Sequence, residues 1–417
     1  MKIKLAVLFG GKSVEHEISI ISAIQAIQSM NTGKYDIIPI YITKNNEMYV
    51  GDQIGDIEAY RDIPALLKRS QRVVLMCDGN RTNIMKFPFK AFKNNVYDTI
   101  DVAFPIVHGT NVEDGALQGY LQTLNLPFVG CDVLSSAVGM DKYVMKTVLK
   151  DQGIPVLDCL CFNIAEYNGG TDKLMDRIER EIGYPVIVKP VNLGSSVGIK
   201  KAKDRAALSD ALELAFEFAP KVLVERAIEQ LKEINCSVVG DYESAQASEC
   251  EEPIGSDEIL SYTDKYLSGS KNAKAASGTQ GAKGGMQSLQ RRLPADIPAQ
   301  QREKIRSLAV KTFQALGCNG VSRIDFMIDM ASGDLYVNEI NTIPGSLAFY
   351  LWEPAGVSYT QLLDRMISLA LKRKRESESI HYSFDTNVLS GIKLGGAKGA
   401  NCLLYTSPSP RDGLLSR

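Results

Sequence analysis

The stretch that decides the fold is 320–345, GVSRIDFMIDMASGDLYVNEINTIPG. It reads as two strands joined by a tight turn. In the first, Arg323, Asp325 and Met327 share one face, and Ile324, Phe326 and Ile328 share the other. In the second, Leu335, Val337, Glu339 and Asn341 alternate with Tyr336, Asn338 and Ile340. The loop Ala331-Ser332-Gly333 ends on the residue type that accepts a left-handed backbone. A three-residue loop pairs Asp325 with Glu339 and Arg323 with Asn341. A two- or four-residue loop would put them on opposite faces. Facing carboxylates repel unless a cation lies between them. Two carboxylates and an amide make an oxygen-only ligand set suited to Mg²⁺, which completes its shell with water and phosphate. A solvated sheet face with alternating charges is the competing reading.

Outward from the hairpin, the bulk numbers narrow the class. The chain has 417 residues, enough for two to four domains with real cores. Hydrophobic residues make up 45%, which is ordinary globular material. The net charge of −2 gives no support to nucleic-acid or membrane binding through bulk charge. Eight cysteines are scattered without CxxC or zinc spacing, as expected of free thiols in a reducing compartment. The opening MKIKLAVLFGGKS is interrupted by Lys4 and reaches a glycine pair without a cleavage-like site, so a buried strand fits better than a signal peptide. With no segment long enough to span a bilayer, a cytoplasmic location is expected.

Residues 1–136 read as an α/β unit with a mostly parallel sheet. Expected strands are 5–9, 36–42, 99–107 and 128–129. Expected helices are 15–30, with Ser13 as N-cap, and 114–124. AVLFGGKS at 6–13 nearly matches a phosphate loop. Its middle residues Val7, Leu8 and Phe9 belong to the strand, however, and two glycines are too few to encircle a triphosphate. Such a turn into a helix can still receive a carboxylate.

Residues 137–222 read as a smaller α+β unit. A helix at 140–152 carries Lys142. A strand at 185–189 delivers Lys189 to the small-residue loop Asn192-Leu193-Gly194-Ser195-Ser196-Val197-Gly198. Strand, lysine, then a loop with free N–H groups is a recipe for holding phosphate oxygens. A plain hairpin with an exposed lysine is the alternative. The strand 222–224 entering Glu225-Arg226-Ala227-Ile228 can offer backbone groups to a purine edge, with an apolar side chain beneath the ring.

Residues 223–375 form the third unit, with helices at 299–316 and 360–373. Inside it, 253–285 is a long Gly/Ser/Ala/Lys-rich segment, readable as a linker or as a lid, with Lys265 and Tyr266 in it. Residues 376–417 are a tail. Its end, CLLYTSPSPRDGLLSR, resembles an appended segment and stays outside the fold reading.

Together these stretches resemble the D-alanine–D-alanine ligase family of the ATP-grasp fold. The residues that carry the resemblance begin with Gly10-Gly11-x-Ser13-x-Glu15-x-Glu17, His108-Gly109-Thr110, Glu113-Asp114-Gly115 and Met140-Asp141-Lys142. They continue with Val188-Lys189-Pro190, Gly194-Ser195-Ser196-Val197-Gly198, Arg323-Ile324-Asp325 and Asn338-Glu339-Ile340-Asn341-Thr342-x-Pro344-Gly345. The match runs from about residue 3 to about 373.

The resemblance implies an N-terminal parallel-sheet domain followed by two α+β lobes that hold ATP between them. Adenine would meet Glu225 and Ile228, and ribose Glu233. The phosphates would meet Lys142, Lys189 and Ser196. Asp325, Glu339 and Asn341 would bind two Mg²⁺ ions, with Mn²⁺ a possible substitute. A first D-alanine would become an acyl phosphate, which the amine of a second would attack. Arg323 and the Gly345 N–H would hold the oxyanion. Glu15 would hold the first ammonium, and His108 would lie near the first carboxylate. Lys265 would approach the γ-phosphate, and Tyr266 would lock the lid onto Glu15 and Ser195. A homodimer is also implied.

Two departures stand out. The family often has a serine for the second carboxylate where this chain has Tyr350, with Ser346 nearby. Asn111-Val112 replaces a small-residue pair. Ligation of D-alanine to D-serine or D-lactate is the alternative activity.

Overall fold

The computed structural model describes residues 2–79, 81–194, 197–254 and 291–381. Ser195, Ser196, Lys265, Tyr266, nearly all of the expected lid and the tail from 382 lie outside the described residues. Residues 1–374 form one compact unit.

The apolar run Ile3–Gly10 is a strand buried along most of its length. It pairs in parallel with Tyr35–Ile42 on one side and Val102–Pro105 on the other. A strand covered on both faces needs a continuous hydrophobic run, and Leu5 to Phe9 supply it. Beyond Val102–Pro105 a single parallel bridge, Ala103 to Phe128, continues the pairing where strand 128–129 is expected. Met48–Val50, Gln71–Asp78, Arg81–Lys86 and Val96–Ile100 extend the seven-stranded sheet antiparallel beyond Tyr35–Ile42.

The strand expected at 99–107 is two strands broken at Asp101, which lie at opposite ends of the sheet order. The sheet therefore curls until its ends meet. Lys4 pins them there: its N–H donates to the Asp101 carboxylate at 2.8 Å, and its carbonyl accepts from the Asp101 N–H at 2.9 Å. The first helix is His16–Ser29. Ser13 does not cap it but accepts from the Glu15 N–H in the turn before it.

A four-stranded antiparallel sheet runs in the order Lys200–Ala202, Val186–Pro190, Lys221–Arg226, Cys159–Asn163. Helices Thr171–Glu181 and Arg205–Phe218 cover one face with Leu174, Ile178, Leu208 and Leu212. The boundary expected at 222/223 falls inside its strand Lys221–Arg226.

The third sheet has five strands in the order Arg291–Arg292, Ala245–Pro253, Leu231–Gly240, Gly320–Asp329, Asp334–Asn341. Helix Ala299–Ala315 packs Ile305, Ala309 and Phe313 on its apolar face. Helix Lys142–Asp151 joins that same core through Met145 and Leu149, although in sequence it belongs to the smaller lobe. The helix Tyr359–Glu378 and the turn around Trp352 instead complete the N-terminal core, through Leu362, Met366 and Trp352 itself.

The hairpin at 320–345 exists, but its loop does not have the expected length. Asp329 pairs with Asp334, which leaves Met330–Gly333 as a four-residue loop. That register would carry Glu339 and Asn341 to the wrong face. A bulge at Asn338 restores it, and Asp325 opposes Glu339 while Arg323 opposes Asn341. Strict alternation would have put Leu335 and Val337 on the face of Glu339. With the extra residue, Leu335, Val337 and Ile340 all enter the core while Glu339 and Asn341 face away from it.

Candidate active site

Cross-strand register builds the floor of the site. Glu251 pairs with Asn235, Asn235 with Asp325, and Asp325 with Glu339, a polar row across four strands. The Asn235 amide donates to Glu251 at 3.0 Å. Arg323 lies on the same face, two residues from Asp325. It grips that carboxylate through Nε and Nη2 at 2.6 and 2.7 Å, and the Asn341 amide adds a third donor at 3.1 Å. Burial raises the Asp325 carboxyl above its ordinary value, opposed by Arg323 and reinforced by Glu339.

Cations arrive from helix Lys142–Asp151 and from strand Val186–Pro190 of the smaller sheet. Asp141 caps helix Lys142–Asp151 by accepting from the Tyr143 and Val144 N–H groups, an arrangement worth about 1 kcal/mol. The cap sets the helix start, and Lys142 and Lys146 follow one turn apart on one face. The Lys142 ammonium is 3.1 Å from Glu339 and donates to the Leu193 carbonyl at 2.7 Å. Lys189 donates to the Asn338 amide oxygen at 3.2 Å and pairs with Glu225 at 2.5 Å. Lys146 closes on the other oxygen of Glu225. Burial alone would raise the Glu225 carboxyl, but the two ammonium groups outweigh it and hold it down at about 2. Burial beside a second ammonium lowers Lys146.

Ile228 packs with Leu157, Met327 and Tyr336 in a small apolar cluster. Glu233 is exposed on the neighbouring strand, level with Met327.

At the other end of the row the side chains close on one another. The Tyr350 hydroxyl donates to Glu251 at 2.9 Å, and Arg291 lies 4.1 Å over the Tyr350 ring. The Ser346 hydroxyl donates to Gln25 at 2.6 Å. His108 Nδ1 is 2.9 Å from the Ile343 carbonyl, so it carries the proton. Nε2 then accepts from the Ser22 hydroxyl at 3.0 Å, and Ser22 in turn accepts the Ser346 N–H. Burial lowers His108, which agrees with this neutral ring. Both ring nitrogens are committed within the protein, so His108 ties the Ile343–Ser346 segment to the first helix.

Ser346, Leu347 and Ala348 all hold left-handed backbone just after Pro344-Gly345. Glu113 braces the segment by accepting from the Ile343 and Gly109 N–H groups, and burial pushes its carboxyl up to about 8. Glu15 is buried beside Gly109 and Gly194. A Cβ on Gly109 would sit 3.0 Å from its carboxylate and only 2.3 Å from Ser13 Oγ. Gly109 also has φ +84, so glycine is required there twice over.

Sequence reasoning assigned no role to Lys146, Glu251 or Asn235, and Glu113 and Asn338 stood only inside the motifs that carry the family resemblance. Lys146 was signalled by its spacing of four from Lys142. Glu251 and Asn235 have no local signature.

Of the described residues, none form a cluster of three or more His, Cys, Asp or Glu that could hold a metal ion. The oxygen set of Asp325, Glu339 and Asn341 still suits a hard divalent cation, because two facing carboxylates share one half-buried face. Two lobes of antiparallel sheet, with lysines from one reaching the acidic row of the other, define the ATP-grasp class of ligases.

The comparisons narrow that class. Residues 4–131 match the family described as D-ala D-ala ligase N-terminus, and residues 148–368 the one described as D-ala D-ala ligase C-terminus. A D-alanine--D-alanine ligase of Thermosipho melanesiensis is 38% identical, over 94% of this chain and 99% of the relative. The structure of the D-alanine-D-alanine ligase from Coxiella burnetii aligns with TM-score 0.73 and 31% identity, covering 91% of this chain and 96% of that one. A D-Ala:D-Ser ligase from Enterococcus faecalis aligns with TM-score 0.72 and 33% identity, covering 89% and 100%. The chain belongs to the D-alanine–D-alanine ligase family.

Proposed function

We propose that this chain joins two D-alanine molecules into D-alanyl-D-alanine with hydrolysis of ATP to ADP and phosphate, as a step in supplying the bacterial cell wall. One observation carries the reading: Lys142, on a helix packed in the core of the third sheet, reaches Glu339, and Lys189, from the smaller sheet, reaches Asn338 beside the acidic row. A carboxylate attacking a polyphosphate brings two anions together, so the site must supply cations along the transfer path.

Lys142 and Lys189 hold the phosphates, and the loop containing Ser196 adds N–H donors. Ile228 and Met327 lie against the adenine, Glu225 faces its edge, and Glu233 takes the ribose. Asp325, Glu339 and Asn341 hold Mg²⁺, or Mn²⁺ in its place. The metal, when bound, screens phosphate charge. Glu15 binds the ammonium of the first D-alanine. Arg323 and the Gly345 N–H polarise its carbonyl after phosphorylation. The second amine then attacks that carbonyl, and phosphate leaves. Ser346 and Tyr350 shape the wall on the acceptor side, and His108, near the first carboxylate, holds the Ile343–Ser346 segment to the first helix. Lys265 and Tyr266 belong to the lid that keeps water from the acyl phosphate. The enzyme works in the cytoplasm, where ATP is available, and the described cysteines, all free, accord with that compartment. We extend the family resemblance to a homodimer.

The test is phosphate release from ATP and Mg²⁺ with and without D-alanine, with the product mass measured and D-serine and D-lactate as rival acceptors. Phosphate release that ignores D-alanine, or a product other than the dipeptide, overturns the reading.

A further inference from the structure

Strands Arg81–Lys86 and Val96–Ile100 are joined by a loop whose tip projects from the surface. Residues 88–94, Pro-Phe-Lys-Ala-Phe-Lys-Asn, are all exposed. Phe92 is 107% exposed, the most of any large hydrophobic side chain described, and Phe89 is 51% exposed. The neck beneath them is firmly tied. The Lys86 N–H donates to the Asn95 carbonyl at 2.7 Å, and the Asn95 side chain accepts from the Lys90 N–H at 2.9 Å and donates to the Lys90 carbonyl at 3.1 Å. Phe87 anchors the base, with the Arg72 guanidinium 4.8 Å from its ring centre. Phe92 has φ +60, which is costly for a bulky residue. An ordered neck thus presents two phenylalanines outward.

The charge at the tip itself has one sign, and the nearest acids in sequence lie back along the strands, Asp78 opposite Arg81 and Asp98 opposite Ile84. From 79 to 97 there are Arg81, Lys86, Lys90 and Lys93 and no acidic residue, in a chain whose net charge is −2. Two copies meeting at this tip would set Lys90 and Lys93 against the same lysines, which disfavours a second copy as occupant. Aromatic rings flanked by ammonium groups suit the interface of an anionic bilayer. The rings enter the headgroup boundary and the ammoniums meet lipid phosphates. We propose that the 88–94 tip docks this enzyme on anionic membrane surfaces. The inference stands apart from the ligase reading, since none of these residues belongs to the site above.

The test is cosedimentation of the full chain with vesicles of phosphatidylglycerol and, separately, of phosphatidylcholine. Binding to the anionic vesicles is expected, with little to the neutral ones. The double variant Phe89→Ser/Phe92→Ser should weaken it at least tenfold, by roughly the burial of two aromatic rings. Lys90→Ala and Lys93→Ala should each weaken it about fivefold. Dipeptide synthesis in solution should be unchanged in all of them. Three results overturn the proposal: no vesicle binding by the unaltered chain, binding that the double serine variant retains, or a dimer that this variant turns to monomer in sedimentation, which would assign the tip to a second copy.

Discussion

The two ends of the acidic row balance their charges differently. At the Glu339 end, the ammonium groups come from outside the sheet. Lys142 starts a helix packed in the same core and lies 3.1 Å from Glu339, and Lys189, from the smaller sheet, bonds to Asn338. At the Glu251 end, the partners are Asn235, Tyr350 and Arg291, and the polar groups bond among themselves. The first end is arranged to receive a further polyanion, because two ammonium groups converge on it from outside the sheet. The second is already satisfied, so it shapes and excludes. Substitutions should therefore cost most near Glu339 and least near Tyr350.

The sharpest test of that contrast is to remove cations or acids at the first end. Lys189→Ala and Asp325→Asn should each lower kcat by about 10²–10³, the usual cost of one preorganised charge-stabilising group. Lys12→Ala, on the exposed glycine turn, should leave kcat for dipeptide formation within twofold or so of the unaltered enzyme, because no phosphate loop exists there. A large loss at Lys12 would undo the assignment of the phosphates to Lys142 and Lys189.

Next comes Lys146, which the reaction need not touch. Lys146→Met leaves the buried Glu225 with Lys189 alone and should cost about 3–5 kcal/mol of stability in urea unfolding. A loss under 1 kcal/mol or so would show that Glu225 is not balanced in this way.

Acid should act through the same residue. The Glu225 carboxyl sits at about 2 in the fold against an ordinary 4.5, so its contribution is complete above about pH 4.5. That contribution drains away as the pH falls from there through about 2. Glu225→Gln should flatten the fall in the urea midpoint over that interval, though it starts lower because two lysines lose their partner. An unchanged slope would point to other carboxylates.

Within the row, the smallest effect belongs to the far end. Tyr350→Phe removes one hydrogen bond to Glu251, which keeps Asn235 and Arg291. The KM for the second D-alanine should rise only about two- to tenfold, as for one neutral or charge-assisted bond, with the KM for ATP unmoved. A collapse in kcat would mean that Tyr350 takes part in the chemistry itself.

The hairpin shows where legibility in the sequence stops. The polar period in Arg323–Asp325 and Glu339–Asn341 was plain, and so was the pairing of acids. The loop length and the bulge were not. The conflict that forces the bulge was nevertheless written there: Leu335 and Val337 share parity with Glu339 and Asn341, and an even strand cannot bury one pair while exposing the other. Burial of apolar side chains opposite Phe326 and Ile328 outweighed regular pairing, and Asn338 became the extra residue.

By itself, the sequence determined the elements and the residues that local order delivers. These are the buried first strand, the capped helix bearing Lys142, the strand ending at Lys189 and the alternating acids of the hairpin. Only the tertiary structure decided which of them meet. The Lys146–Glu225–Lys189 cluster, the four-strand row from Glu251 to Glu339 and the neutral His108 tie all join residues far apart in the chain. Their energy comes from burial and register, which leave no trace in neighbouring residues.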